Sequence, residues 1–163
     1  MSEFCIKKIN DVKFLKDKIM KRMVIFIAVL TVFAVTSIAD DRPATFAQLP
    51  QTAQAFINTN YPGEKVSFVT VDDDLIMPDY HVVMANGVMI QFEHNGKLEK
   101  IETRKGEIPA GIVPVQIVEL VKAYYPDSTI LQYEVGRKTY EVKLSNRMEL
   151  KFNSRFNVIE VDD

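Results

Sequence analysis

Ala53, Phe56 and Ile57 stand at the i, i+3, i+4 spacing of one helix face, and Ile117, Leu120 and Val121 repeat that spacing 64 positions later. Leu49-Pro50 opens the first stretch and Val113-Pro114 the second; Tyr61-Pro62 and Tyr125-Pro126 close them. Proline is tolerated near a helix start because its missing N–H would be unpaired there anyway. The residue before a proline is pushed towards extended backbone, so each Tyr-Pro predicts a helix stop.

After each helix the period becomes alternating. Residues 66–71 align with 130–135, still at an offset of 64, and residues 80–84 align with 140–144 at an offset of 60. The four extra residues of the first half fall within 72–79. Asn86-Gly87 and Asn146-Arg147 predict tight turns; Asn-Gly between alternating apolar residues is a strong hairpin signal, because both residues tolerate positive φ. Residues 88–92 then match 148–152. After the turn His94-Asn95-Gly96, residues 98–101 match 158–161.

Consecutive strands with short turns predict an antiparallel meander. The expected fold is α+β: two tandem modules, each a helix and four antiparallel strands. Each helix covers the apolar face of its own sheet, and the other face is left open. The expected divisions are an N-terminal extension and signal peptide at 1–39, a first repeat at 40–102, a linker at 103–110 and a second repeat at 111–163.

Charge divides the chain further. Residues 1–39 carry seven basic and three acidic side chains. Met20-Lys21-Arg22 precedes an apolar run that ends in the small residues Ser37 and Ala39, the form of a secretory signal cleaved after Ala39. The run is short of the ~20 residues of a comfortable membrane span. The expected location is periplasmic or secreted, with membrane contact only through this segment if uncleaved. Met20 and Met23 would each serve as a start beside the basic region. From Asp40 onward there are 13 basic and 19 acidic residues, a net of −6. That excludes a nucleic-acid partner on bulk charge, since phosphate contacts need clustered Lys and Arg. The single cysteine, Cys5, precedes the signal core, so the exported part has no disulfide, thiolate metal site or cysteine nucleophile.

The ordered set Leu-Pro, amphipathic helix, Tyr-Pro, strand, Tyr-x-Val-x-(Met/Leu), Asn-Gly or Asn-Arg, then a strand ending in Phe92 or Phe152, occurs twice over about residues 46–162. It resembles the PepSY-like family of exported proteins, similar in fold to beta-lactamase-inhibitor protein. The resemblance implies two tandem α+β modules and an exported location, and no proven activity. Two departures stand out. Gly96 of the first turn becomes Phe156 in the second, and the disulfides of the secreted inhibitor are impossible here.

Little material supports an enzyme or a cofactor. His81 and His94 fall on a strand and a turn, and no G-x-S-x-G elbow accompanies them. Asp72, Asp73, Asp74 and Asp79 form an acidic loop, a weak metal candidate without EF-hand spacing. Glu141 and Glu149 are expected to face each other across adjacent strands, forming ion pairs with Lys143 and Lys151. Tyr61, Tyr124 and Tyr125 are expected in the core at the helix ends.

The open face separates the halves. It carries Glu141, Lys143, Glu149 and Lys151 in the second, but His81, Val83, Met89 and Gln91 in the first. An apolar patch with a polar rim marks a partner site, unless residues 103–109 or those before Leu49 cover it. The expected function is a non-catalytic binding module that takes an envelope protein or peptide on His81, Val83, Met89 and Gln91, inhibition of an envelope enzyme being one form of that binding. The alternative is a small-ligand or calcium binder using residues 72–79.

Overall fold

The computed structural model describes residues 41–72 and 76–163. The expected signal segment and Asp73 and Asp74 lie outside the described residues. Among those described, no helix is long and apolar enough to cross a membrane.

The chain forms β1 (Arg42–Ala44), a 3₁₀ turn (Phe46–Gln48), α1 (Gln51–Asn60), β2 (Val66–Val71), β3 (Tyr80–Met84), β4 (Met89–Phe92) and β5 (Leu98–Glu102). It continues with α2 (Val115–Tyr124), β6 (Ile130–Val135), β7 (Thr139–Leu144), β8 (Glu149–Asn153) and β9 (Val158–Asp162). All nine strands make one antiparallel sheet in chain order.

The helices are where the spacing predicts. Pro50 and Pro114 are the N-caps, and Tyr61 and Tyr125 close the helices in the same backbone conformation. Ala53 and Ile57 of α1, and Ile117 and Val121 of α2, are buried. They pack in one core with Val82, Met84, Ile90 and Phe92 of the first half and Val142, Leu144, Leu150 and Phe152 of the second. Phe56 meets Phe92 edge-on, with centroids 5.6 Å apart. The turns also correspond. The side-chain oxygens of Asn86 and Asn146 accept from the N–H of Val88 and Met148. Gly87 holds φ 87, and Arg147 adopts φ 75 in the same place.

Instead of two four-stranded sheets, there is one sheet of nine. β5 pairs with β6 through Lys100↔Glu134, Ile101↔Tyr133 and Glu102↔Gln132. A module edge left alone would expose a row of unpaired backbone groups, and the seam removes two such edges. β1 is the further strand, too short and too proline-bearing to read as one in sequence.

Candidate binding face

The registers define which side chains share the face away from the helices. Side chains alternate along a strand, so transverse neighbours on one face follow the pairing. One row runs Thr70, His81, Gln91, Lys100, Glu134, Glu141, Lys151, Glu160. The next runs Phe68, Val83, Met89, Glu102, Gln132, Lys143, Glu149, Asp162.

The four predicted residues therefore come together. His81 faces Gln91, and Val83 faces Met89, across β3 and β4. All four are half-buried and line a shallow depression of about 210 Å³, walled on one side by Lys100 and Glu102. Phe68 adds to them. It lies beside Val83, is 54% exposed, and extends the patch to three apolar side chains. Its sequence neighbours gave no sign of this, because a register shift between Val66 and Phe68 sets which face it takes.

The second half is charged along the same rows. Lys143 and Glu149 are 2.5 Å apart, Lys151 and Glu141 3.9 Å, and Lys151 and Glu160 3.6 Å. The cross-strand ion pairs are present, but Glu141 and Glu149 do not face each other. Leu144 and Met148 close the turn, which sets Lys143 opposite Glu149 and Glu141 opposite Lys151.

The segment expected to compete for the open face lies elsewhere. Ile108 and Ile112 pack against the core. Residues 107–111 line a depression with Val118, Val121 and Lys122 of α2, on the helix side. β1 lies at the sheet edge. Tyr61 is buried as expected, but Tyr124 is 75% exposed.

The corner beside His81 is acidic. A register shift between Gln91 and Phe92 leaves Glu99 as an extra residue in β5. Burial, then the Asp79 carboxylate, raises the Glu99 pKa, while a hydrogen bond with Gln91 lowers it. Its Oε2 is buried with no hydrogen-bond partner among the described residues. Asp79 is raised by burial and by Asp72, and lowered by His81 and His94. The two histidines, remote in the predicted elements, thus act on one carboxyl. Among the described residues, no group of three or more His, Cys, Asp or Glu could hold a metal.

Residues 39–76 and 78–160 match the family described as "Putative beta-lactamase-inhibitor-like, PepSY-like". No curated protein matches the chain. Three crystal structures resemble it. A "putative periplasmic protein" from Bacteroides vulgatus is 38% identical, covering 78% of this chain and 100% of that one, with a TM-score of 0.73. A "putative calcium-regulated periplasmic protein" from Bacteroides thetaiotaomicron is 38% identical, covering 76% and 98%, also at 0.73. A "putative periplasmic protein of unknown function" from Bacteroides vulgatus is 26% identical, covering 76% and 99%, at 0.71.

Proposed function

For a chain that belongs to the PepSY-like, beta-lactamase-inhibitor-like family, we propose a non-catalytic, exported binding module that takes a protein or peptide on the open face of β2–β4. The observation that carries this is the continuous apolar row Phe68, Val83, Met89 on a sheet face that is otherwise polar and charged. Apolar side chains left exposed, as Phe68 is, or half-open, as Val83 and Met89 are, within a polar rim are what a partner buries. His81 and Gln91 supply hydrogen bonds on one flank, and Lys100 and Glu102 supply charge on the other. Inhibition of an envelope enzyme is the form of binding that the family description suggests, by analogy of fold.

The proposed organisation is duplicated, with modules at 40–102 and 111–163 joined by 103–110. Shifts at corresponding places, Val66/Phe68 with Ile130/Gln132 and Gln91/Phe92 with Lys151/Phe152, support it. So do the matching helix ends. Residues 20–39, behind an N-terminal extension, act as the export signal, and the mature protein works in the periplasm, the compartment to which the similar crystal structures are ascribed.

Capture from envelope extract, comparing the parent with Val83→Asp/Met89→Lys, tests the face. Loss of the captured protein in the variant is expected; identical capture sinks the proposal.

A second reading is a calcium or small-ligand site at residues 72–79. It draws on the crowding of Asp72, Asp79, Glu93 and Glu99 and on the "calcium-regulated" name of one similar structure. The described residues alone do not fit a calcium ion, because no three ligating side chains converge. Calorimetric titration with calcium that gives neither heat nor a shift in melting temperature removes it.

A further inference from the structure

The sheet ends differently at its two edges. β1 stands to β2 as β5 stands to β6: Pro43↔Thr70 and Ala44↔Val69 correspond to Lys100↔Glu134 and Ile101↔Tyr133. β1 is thus a three-residue substitute for a preceding strand, and Pro43 withholds a backbone N–H from it. Short, proline-bearing edge strands resist further pairing. β9 has no such protection. It is five residues long without proline, and among the described residues it pairs only with β8.

Its side chains are uncovered as well. Ile101 of β5 is 0% exposed, while Val161, at the corresponding place in β9, is 49% exposed. Ile101 has Tyr133 of β6 directly beside it; Val161 has no strand on its outer side among those described. Leu120, Tyr124, Tyr125, Phe156, Val158 and Val161 line a groove of about 380 Å³ between the end of α2 and β9. On the opposite face of the same strand, Glu160 and Asp162 continue the two transverse rows.

We propose that β9 is a docking edge for an extended segment of a partner protein that joins the sheet as a tenth strand. Large apolar side chains of that segment fill the α2–β9 groove, and alternate Lys or Arg side chains stand against Glu160 and Asp162. The β5–β6 seam is the template: Tyr133 covers Ile101 on the helix side, and Glu134 lies 3.6 Å from Lys100 on the other. In strand addition the main chain supplies affinity, and alternate side chains supply selectivity. A second copy of this chain is a poor occupant. Two β9 strands meeting antiparallel would set acidic side chains against acidic ones, which is destabilising.

The test uses two blocked hexapeptides, one alternating Lys with Val or Tyr and the other with Glu in place of Lys. Binding is followed by fluorescence anisotropy and by amide chemical shifts. The Lys peptide is expected to bind and to shift β9 amides, with the Glu peptide about tenfold weaker or more. Glu160→Lys/Asp162→Lys is expected to weaken the Lys peptide about tenfold. Tyr124→Ser is expected to weaken it too; circular dichroism is expected to find each variant folded, the charge-reversed one with a slightly lower melting temperature because its new charge stands against Lys151. Equal binding to the charge-reversed variant overturns the proposal, as does no binding at millimolar peptide, or shifts confined to β2–β4. Sedimentation revealing a dimer that Tyr124→Ser dissolves would place a second copy on the edge, and also overturns it.

Discussion

Val83 lies directly opposite Met89 across β3 and β4, and the corresponding pair across β7 and β8 is Lys143 and Glu149, an ion pair. The same cross-strand site is therefore apolar in one half and charged in the other. Both chemistries suit a half-exposed sheet position, so folding alone does not account for the difference. Replacing the first pair by the second, Val83→Lys with Met89→Glu, is expected to change stability by no more than about 1 kcal/mol in urea unfolding. Partner capture is expected to be lost.

Burial separates Ile101 from Val161 despite their equivalent register. Ile101→Ala removes a fully buried side chain and is expected to cost about 2–5 kcal/mol. Val161→Ala, at a position 49% exposed, is expected to cost less than about 1 kcal/mol. Paired urea denaturation curves check both. Equal losses would mean that β9 is covered in solution.

Gly96 sits against the start of α1. A Cβ there would meet Thr52 Oγ1 and come within 2.7 Å of the Pro50 Cβ, at φ +79. Thr52 Oγ1 is also the donor to the Asn95 carbonyl, at 2.8 Å. Gly87 holds φ +87 with nothing within 4 Å. Gly87→Ala is expected to cost about 1–2 kcal/mol, the left-handed penalty alone. Gly96→Ala is expected to cost clearly more, read as the larger drop in melting temperature.

These positions also mark what the chain discloses by itself. The helices, their Tyr-Pro stops and the Asn-centred turns depend on residues close in sequence, and they are legible there. Alternation correctly placed His81, Val83, Met89 and Gln91 on one face. Features set by long-range register were not legible. The β5–β6 seam joins residues about 30 apart, and β1 becomes a strand only because β2 offers an edge. Phe68 and Glu99 take their places through register shifts that no local pattern announces. Tyr124 looked like a core residue because the groove beside it depends on where the sheet ends.

Glu99 and Asp79 make stability pH-dependent. Both carboxyls have a raised pKa in the folded protein, from burial first and then, for Glu99, from Asp79 and, for Asp79, from Asp72. Between the unfolded and folded pKa the native state holds more protons, so stability falls as pH rises through that window. These groups' contribution is full below the ordinary carboxylate pKa and is lost once pH passes the folded value. Glu99→Gln is expected to raise the melting temperature at pH 7 and to flatten its decline from acidic pH. An unchanged profile would place Glu99 in open solvent.

Tyr61 has a buried hydroxyl with no hydrogen-bond partner among the described residues, and burial pushes its pKa up to about 12. An unpaired buried polar group costs about 1–3 kcal/mol. Tyr61→Phe is therefore expected to leave stability unchanged or raise it by about 1 kcal/mol. A loss of that size would reveal a hydrogen bond, such as one to solvent.

Side-by-side capture from envelope extract tests the central claim most directly, using the parent, Val83→Asp/Met89→Lys, and Lys143→Ala/Glu149→Ala. The apolar row predicts that the parent and the second-half variant retain the same protein while the first-half variant loses it. Capture of that protein by the folded Val83→Asp/Met89→Lys variant at the parent's level would contradict the account.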